Sequence, residues 1–244
     1  MCDAVLFSPH FPADSRKVVD SPEKYNMKDF ENNFVTTVDK LSLNYYFLRK
    51  PNLTERMNVP TIVYFHGNAG NIGHRLDNVI EMYEILNVNL LIFDYRGYGL
   101  STGKPSEKGL CLDAISVLRL LHERVDIDLK MIFLFGRSLG GAVAMCSAYE
   151  ILKNPKYQKL KPAGLIIENT FTSVPDVARK IFNGKLSPFF AWLIRMMPTW
   201  YYKSRFDSKS KLKDIDLPIL FLSGLKDELL PVSMMDDLHK VCLF

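Results

Sequence analysis

One serine in this sequence has the surroundings of a nucleophile. Ser138 lies in the segment GRSLGG at residues 136–141, directly after an apolar run and directly before a run of small residues that favours a helix. A sharp turn from a strand into a helix strains the serine backbone and leaves room only for small residues two positions away on either side. Gly136 and Gly140 meet that requirement. We therefore expect Ser138 to stand exposed above a sheet, although a G-x-S-x-G spacing alone is common by chance.

A second glycine-rich turn, HGNAGN at residues 66–71, follows the apolar run 61–65. In sites built around such a serine, backbone N–H groups from a loop of this kind and from the residue after the serine stabilise a developing oxyanion. We expect the amides of Asn68 and Leu139 to be these donors, and His66 to brace the loop. The alternative, a phosphate-binding glycine loop, lacks the lysine spacing of that motif.

A candidate acid, Asp227, follows the strand-like run 218–223 after a glycine turn. At the same sheet edge as Ser138, its carboxylate could orient an imidazole. Glu228 is the adjacent competitor. The alternative is that Asp227 is a solvated loop residue or a helix cap.

These residues need a scaffold, and the hydrophobic pattern predicts an α/β fold. Five runs are apolar on both faces, as in buried parallel strands: 61–65, 90–93, 131–135, 165–167 and 219–222. Helix-like segments lie between them, near 72–86, 106–124, 138–152 and 231–241. This order predicts a mostly parallel sheet with helices on both faces. An antiparallel hairpin is expected first, from β-rich runs separated by Asp39 and Lys40: 34–38 and 41–48.

The chain divides into an irregular lead-in at 1–29 and one domain at 30–244. Within that domain, residues 172–210 contain both tryptophans and are too long for a simple crossover. We expect a short helical cap over a pocket. An amphipathic crossover helix is an equal alternative, and a membrane-surface contact is a third.

Composition narrows the class of protein. The 244 residues are 48% hydrophobic and 24% charged, as in a soluble globular domain. The net charge of +4 is scattered, so nucleic acid is not an expected partner. The four cysteines lie far apart without metal-ligand spacing, which favours a reducing compartment and no metal. No signal peptide or membrane anchor is expected, and the location is left open.

Several polar residues near the strand ends are expected to be structural. Asp94 and Arg96 are interpreted as part of a turn braced by an ion pair. Arg137 could meet an anionic substrate, but a salt bridge is the preferred interpretation. Glu168 and Asn169 could line the pocket or bind backbone groups.

Five segments together resemble the alpha/beta-hydrolase superfamily, in the branch that alpha/beta-hydrolase domain-containing protein 13 shares with fungal and plant relatives. They occur in family order at strand ends: 66–71, 94–99 (DYRGYG), 136–141, 168–171 (ENTF) and 223–227 (SGLKD). The resemblance implies a serine hydrolase with Ser138 as nucleophile, Asp227 as acid, and Asn68 and Leu139 as oxyanion donors, without a cofactor. It also implies a small acyl ester or lipid-like substrate, or an acylated protein, and a cytoplasmic or membrane-associated setting.

The base of the triad is the missing part of this pattern. In this fold the histidine follows the acid, but only His239 lies beyond Asp227, inside a predicted helix. We find no catalytic histidine; His74 is the least unlikely substitute. The family's eighth strand and last helix are expected to be absent, leaving a sheet edge unpaired. Low activity is therefore expected. The alternatives are a non-catalytic binding homologue and a serine aminopeptidase-like enzyme.

Overall fold

A seven-stranded sheet organises the protein. The computed structural model describes residues 6–182, 198, 201–227 and 229–242. Within them, the strands lie in the order β1-β2-β4-β3-β5-β6-β7. Their bounds are β1 Phe30–Thr36, β2 Ser42–Leu48, β3 Thr61–Phe65, β4 Asn89–Phe93, β5 Ile132–Arg137, β6 Gly164–Glu168 and β7 Ile219–Leu222. The predicted fold class, a mostly parallel sheet with an N-terminal antiparallel hairpin, is confirmed.

The hairpin differs in its bounds from the sequence prediction. β1 begins at Phe30 rather than Phe34, and the turn spans residues 37–41 rather than two residues. The amide of Thr37 donates to the carbonyl of Leu41, and Lys40 takes a positive φ of 66°. The first half of β1 lacks the alternating apolar pattern of a strand, because it contains exposed polar residues. These residues are extended because they pair with β2, and their own sequence does not indicate that pairing.

The parallel register brings the candidate residues to one edge of the sheet. Phe65 pairs with Gly136, Arg137 pairs with Glu168, and Glu168 pairs with Leu222. The carboxyl ends of β3, β5, β6 and β7 therefore lie side by side. Loops that follow these strands meet where ligands bind in open α/β sheets.

Helices cover both faces of the sheet. Their bounds are α1 Leu53–Asn58, α2 Leu76–Ile85, α3 Glu107–His122, α4 Leu139–Lys153, α5 Val174–Phe182, α6 Ser208–Leu212 and α7 Val232–Val241. Successive residues of β3 point to opposite faces, so Ile62 and Tyr64 pack with α2, while Val63 and Phe65 join the larger core with α3 and α4. Small residues let α4 lie close against the strands.

β7 is not buried on both faces, which corrects the sequence prediction. It is the last strand of the described sheet, and its residues alternate between half-buried and exposed. Leu220 and Leu222 remain 54% and 40% exposed. An apolar run cannot by itself distinguish a central strand from an edge strand.

Cys111 and Cys146 are joined by a disulfide, which the cysteine spacing did not suggest. The two residues lie on α3 and α4 with Cα atoms 6.2 Å apart, and both are buried. The preference for a reducing compartment rested on their distance in sequence. Packing of α3 against α4 brings the two cysteines together in space, which their separation in sequence does not reveal.

The N-terminal segment packs onto the glycine-rich loop. The Asn71 side chain is completely buried and donates to the carbonyls of Ser15 and Val18, at 2.8 Å each. Gly70 donates to the carbonyl of Phe11, and Ser8 forms a parallel bridge with Ala69. The described part of the lead-in is thus held in place, and it includes one short 3-10 helix, Pro22–Tyr25.

The middle of the expected cap, residues 183–197 and 199–200, lies outside the described residues. Its described flanks are α5 and the segment that ends in α6. Across the described parts of the chain, no helix has the length and apolarity needed to cross a membrane. The same parts contain no cluster of acidic, histidine and cysteine side chains suited to a metal.

Candidate active site

Ser138 occupies a strained turn between β5 and α4. Its φ of 55° and ψ of −121° lie outside the regions that ordinary residues favour. Three hydrogen bonds hold this backbone: the Ser138 amide donates to the carbonyl of Glu168, and the Ser138 carbonyl accepts from the amide of Gly141 and the hydroxyl of Thr170. The surrounding structure therefore fixes the conformation that projects the side chain, which is partly exposed.

The two predicted glycines of the turn are required by close backbone contacts. A Cβ atom on Gly136 would overlap the carbonyl of Gly140, and one on Gly140 would overlap the carbonyl of Phe65. Both contacts involve backbone, which cannot move aside as a flexible side chain can. Helix α4 can start this close to β3 and β5 only because both positions lack a side chain.

The glycine-rich loop faces the serine. A Cβ atom on Gly67 would lie 3.8 Å from Cβ of Ser138. The next side chain, Asn68, is turned away and fixed: its Oδ1 accepts from the amide of Ser8 at 2.9 Å and from the hydroxyl of Tyr98 at 3.1 Å. The sequence indicated the backbone of Asn68 but not these anchors, which come from distant parts of the chain.

The two amides expected to bind an oxyanion are those of Asn68 and Leu139. In the described residues, neither the amide of Asn68 nor that of Leu139 donates to another backbone group. The Leu139 amide is free because it belongs to the first turn of α4, where no preceding helical carbonyl exists. Paired, preorganised N–H groups of this kind stabilise an oxyanion.

The loop that carries Asp227 is tied to the neighbouring strand. The amide of Gly224 donates to Oδ1 of Asn169 at 2.6 Å, and the amide of Asp227 donates to the carbonyl of Gly224 at 3.2 Å. Asp227 Oδ1 accepts from the amides of Leu229 and Leu230 at 2.8 Å each. One carboxylate oxygen therefore binds the turn before α7, without capping the helix itself, which begins after Pro231. Oδ2 has no partner among the described residues. Glu228 lies outside them.

All five histidines lie in the described residues, and none is hydrogen-bonded to Ser138 or Asp227. His122 binds the carbonyl of Leu118 within α3. His239 is exposed on α7 beside Phe221, and His10 is exposed in the N-terminal segment.

His74 is a poor substitute for the base. Its Nδ1 accepts from the amide of Asn71 at 3.2 Å, in a capping box at the start of Ile72–Arg75. A neutral imidazole that accepts at Nδ1 carries its proton at Nε2. The exposed nitrogen therefore holds a proton already and has no lone pair to accept one.

His66 is buried under the loop and braces it. Its Nδ1 lies 2.7 Å from the carbonyl oxygen of Gly67, and the hydroxyl of Tyr95 donates to the carbonyl of His66 at 2.9 Å. Burial lowers the pKa of His66 to about 3, so the ring is neutral. It stabilises the loop from below, away from solvent.

The expected ion pair of Asp94 with Arg96 is wrong. Asp94 accepts from the amide of Ile72, whereas Arg96 pairs with Asp113 and Asp39, at 2.8 Å each. Asp94 binds the start of Ile72–Arg75, whereas Arg96 binds Asp113 on α3, and these different partners hold the two side chains apart. Arg137 lies 3.6 Å from Glu168, a contact between neighbouring strands.

Thr170 is the functional residue that sequence reasoning missed. It directly follows Asn169 at the end of β6, and its hydroxyl donates to the carbonyl of Ser138 at 2.7 Å. Its position in the segment 168–171, at a strand end, could have indicated this role. Only Glu168 and Asn169 of that segment were considered as candidates.

Known proteins resemble this chain over much of its length. The family described as Serine aminopeptidase, S33 matches residues 58–214. Protein bem46 of Schizosaccharomyces pombe is 39% identical over 98% of this chain and 74% of its own length. The alpha/beta hydrolase domain-containing protein WAV2 of Arabidopsis thaliana is 36% identical over 97% of this chain and 74% of its own.

Two other similar proteins have names that state a hydrolytic activity. Zebrafish lysophosphatidylserine lipase ABHD12 is 30% identical over 72% of this chain and 45% of its own. The Pyrococcus furiosus esterase Pf2001 shares the fold, with a TM-score of 0.69, 20% identity, and coverage of 97% of this chain and 84% of its own. The chain therefore belongs to the alpha/beta-hydrolase superfamily, in the family described as serine aminopeptidase S33.

Proposed function

We propose that this protein is a serine hydrolase that cleaves acyl esters or thioesters through an acyl-serine intermediate. The observation that carries the proposal is the strained backbone of Ser138, which presents the side chain beside the glycine-rich loop. Strain of this kind persists only where the surrounding structure holds it, and it is common at catalytic turns.

The proposed reaction uses Ser138, the amides of Asn68 and Leu139, and Asp227. Ser138 Oγ attacks the acyl carbonyl carbon and gives its proton to water, since no histidine contacts it, and the amides of Asn68 and Leu139 bind the oxyanion. The tetrahedral intermediate breaks the bond to the leaving oxygen or sulfur, which takes a proton from water and departs as an alcohol or thiol. A second water then attacks the acyl-serine, releases the acid and returns the proton to Oγ. Asp227 would orient an imidazole base in this scheme. Because no histidine contacts Ser138 in this chain, we expect turnover to be slow.

The substrate class is proposed from the relatives. Names that include esterase and lipase favour a small acyl ester or a lipid-like ester over a peptide. The family description names an aminopeptidase, so an amide substrate is the competing choice. The aromatic residues of 172–210 suit an acyl chain, which extends the proposal to an acylated protein, such as a palmitoyl thioester, and to contact with a membrane surface.

A serine-reactive fluorophosphonate tests the nucleophile, with intact mass and peptide mapping as readouts. We expect labelling at Ser138 and none in Ser138→Ala. Ser147→Ala is a matched control, because Ser147 is buried in α4 and its hydroxyl is bound to the carbonyl of Val143. Labelling that persists in Ser138→Ala, or never occurs in the folded protein, would refute the proposal.

A non-catalytic binding homologue is the second candidate function. It is favoured by the positions of the five histidines. Each ring either contacts another group or lies away from Ser138, so none acts as its base. Hydrolysis of p-nitrophenyl acyl esters that is lost in Ser138→Ala would exclude it. A rate equal to that of Ser138→Ala, together with ligand binding, would support it.

A further inference from the structure

A basic cleft lies beside the proposed active site, between the start of α5 and the segment 205–213. Its volume is about 310 Å³, within the range of small-molecule sites. Four cations line it, Arg179, Arg205, Lys209 and Lys213, together with two carboxylates and two serines, Asp176, Asp207, Ser173 and Ser210.

The two carboxylates of the cleft are already bound by the protein. Asp176 Oδ2 accepts from the hydroxyls of Thr172 and Ser173 at 2.8 and 2.7 Å, and its Oδ1 lies 3.5 Å from Arg179. Asp207 Oδ1 accepts from the amide of Ser210 at 3.2 Å. These contacts fix both carboxylates within the wall of the cleft, where Arg179 is the only cation paired with either of them among the described residues.

Three of the four cations have no carboxylate partner in the described part of the chain: Arg205, Lys209 and Lys213. All three are exposed. Residues 183–197 and 199–200, which lie outside the described part, contain no acidic residue that could pair with them. The cleft therefore keeps an excess of positive charge.

The walls of the cleft are held together by backbone hydrogen bonds. The amide of Val174 donates to the carbonyl of Arg205 at 2.8 Å, and that of Lys209 donates to the carbonyl of Thr172 at 3.2 Å. Glu107 also accepts from the amides of Arg205 and Phe206, at 2.7 and 2.9 Å. The cations are thus carried on fixed backbone, which lowers the entropy cost of gathering them around a ligand.

We propose that this cleft binds a phosphate group. Its four cations and two carboxylates give a net charge of +2, which matches the charge of about −1.5 to −2 on a phosphate monoester at neutral pH. Arg205 and Arg179 add planar guanidinium groups, which suit phosphate oxygens. The phosphate can belong to a soluble phosphate ester or to a lipid headgroup.

The cleft is close to Ser138. Ser173, in its wall, is three residues after Thr170, so their Cα atoms lie within about 11 Å even in extended chain. Thr170 is hydrogen-bonded to the Ser138 carbonyl. A bound phosphate would therefore be near the proposed reaction centre, but its binding does not depend on catalysis.

Calorimetric titration with glycerol 3-phosphate, and with glycerate for comparison, tests the chemistry. Flotation with phosphatidylcholine vesicles, with and without phosphatidic acid, tests the lipid source. The cleft variant is Arg205→Gln, Lys209→Gln and Lys213→Gln. The control variant is Lys156→Gln, Lys159→Gln and Lys161→Gln, which removes the same charge from exposed residues elsewhere.

We expect about ten-fold or greater loss of binding in the cleft variant and little change in the control variant, because charge-assisted hydrogen bonds are the strong ones. Binding of glycerol 3-phosphate would identify the ligand as a soluble phosphate ester. Binding to vesicles that contain phosphatidic acid, without binding of glycerol 3-phosphate, would identify it as a lipid headgroup. Equal losses in both variants, equal affinity for glycerate, or no binding to either probe would overturn the proposal. Circular dichroism of both variants shows that they are folded, and fluorophosphonate labelling of Ser138 reports separately on the nucleophile.

Discussion

Nε2 of His66 lies 3.8 Å from Oδ1 of Asp94, and both side chains are completely buried. Nδ1 of His66 faces the carbonyl of Gly67, so it carries the ring proton, and the Nε2 lone pair faces Asp94. Burial raises the pKa of Asp94 to about 8 and lowers that of His66 to about 3. At neutral pH the pair is a carboxylic acid beside a neutral imidazole.

This pair predicts that stability falls as pH rises from about 6.5 to 8. Unfolded Asp94 and His66 titrate near about 3.9 and about 6.5, so both states hold one proton on the pair between those values. Above about pH 6.5 the folded pair still holds its proton, whereas the unfolded pair has lost it. The free energy of unfolding therefore falls with pH, by up to about 2 kcal/mol at pH 8. Urea denaturation at pH 6, 7 and 8 measures this slope.

Asp94→Asn should reverse that slope, because the amide does not titrate and only unfolded His66 then binds a proton near pH 6. Stability should rise by up to about 1 kcal/mol between pH 6 and 8 as that proton is lost. Asp214→Asn is the control, since Asp214 is an exposed partner of Lys153 and should leave the slope unchanged. A slope in Asp94→Asn equal to that of the native protein would show that Asp94 is ionised in the fold.

The link between Cys111 and Cys146 predicts a second measurable effect. In denaturant without reductant, iodoacetamide should modify two of the four cysteines, and after reduction all four. Cys111→Ala combined with Cys146→Ala should lower the free energy of unfolding by about 4 kcal/mol or less, because a sequence separation of 35 is no longer closed. Cys242→Ala, at an exposed free cysteine, is the control. Four modified cysteines without reductant would refute the link.

The sequence predicts the central parallel strands well because their signal is local. β3, β4 and β5 are short apolar runs bounded by turn residues, and the contacts that require Gly136 lie within one turn. Gly140 is visible from its spacing to Ser138, although the carbonyl that it meets belongs to Phe65 on β3. The sheet edge at β7 and the start of β1 are less clear, since their burial depends on neighbouring strands rather than on their own residues.

Long-range partners are what the sequence could not predict. Ser8 binds the Asn68 side chain from sixty positions away, and Arg96 finds Asp113 on α3 rather than its neighbour Asp94. Each partner is one of many chemically equivalent residues, and only the folded packing selects it. The same holds for Thr170 beneath Ser138.

The hydrogen bond from Thr170 to Ser138 predicts a role in holding the strained turn. Thr170→Val keeps the shape but removes the donor, and should cost about 1 kcal/mol of stability. It should also slow fluorophosphonate labelling of Ser138 several-fold, because the serine is less firmly positioned. Thr36→Val, at an exposed site on β1, is the control. Unchanged labelling and stability would show that the remaining contacts suffice.

Asn169 should hold the loop that carries Asp227. Asn169→Ala removes the acceptor for the amide of Gly224 and should loosen residues 223–227, where Lys226 is exposed. We expect trypsin to cleave after Lys226 roughly ten-fold faster. That factor corresponds to a decrease of about 1.4 kcal/mol in the free energy of local opening of the loop. Asn78→Ala, at an exposed site on α2, is the control. Cleavage at the native rate would mean that the hydrogen bonds from the amides of Leu229 and Leu230 to Asp227 fix the loop without Asn169, and that Asp227 is positioned mainly by its own turn.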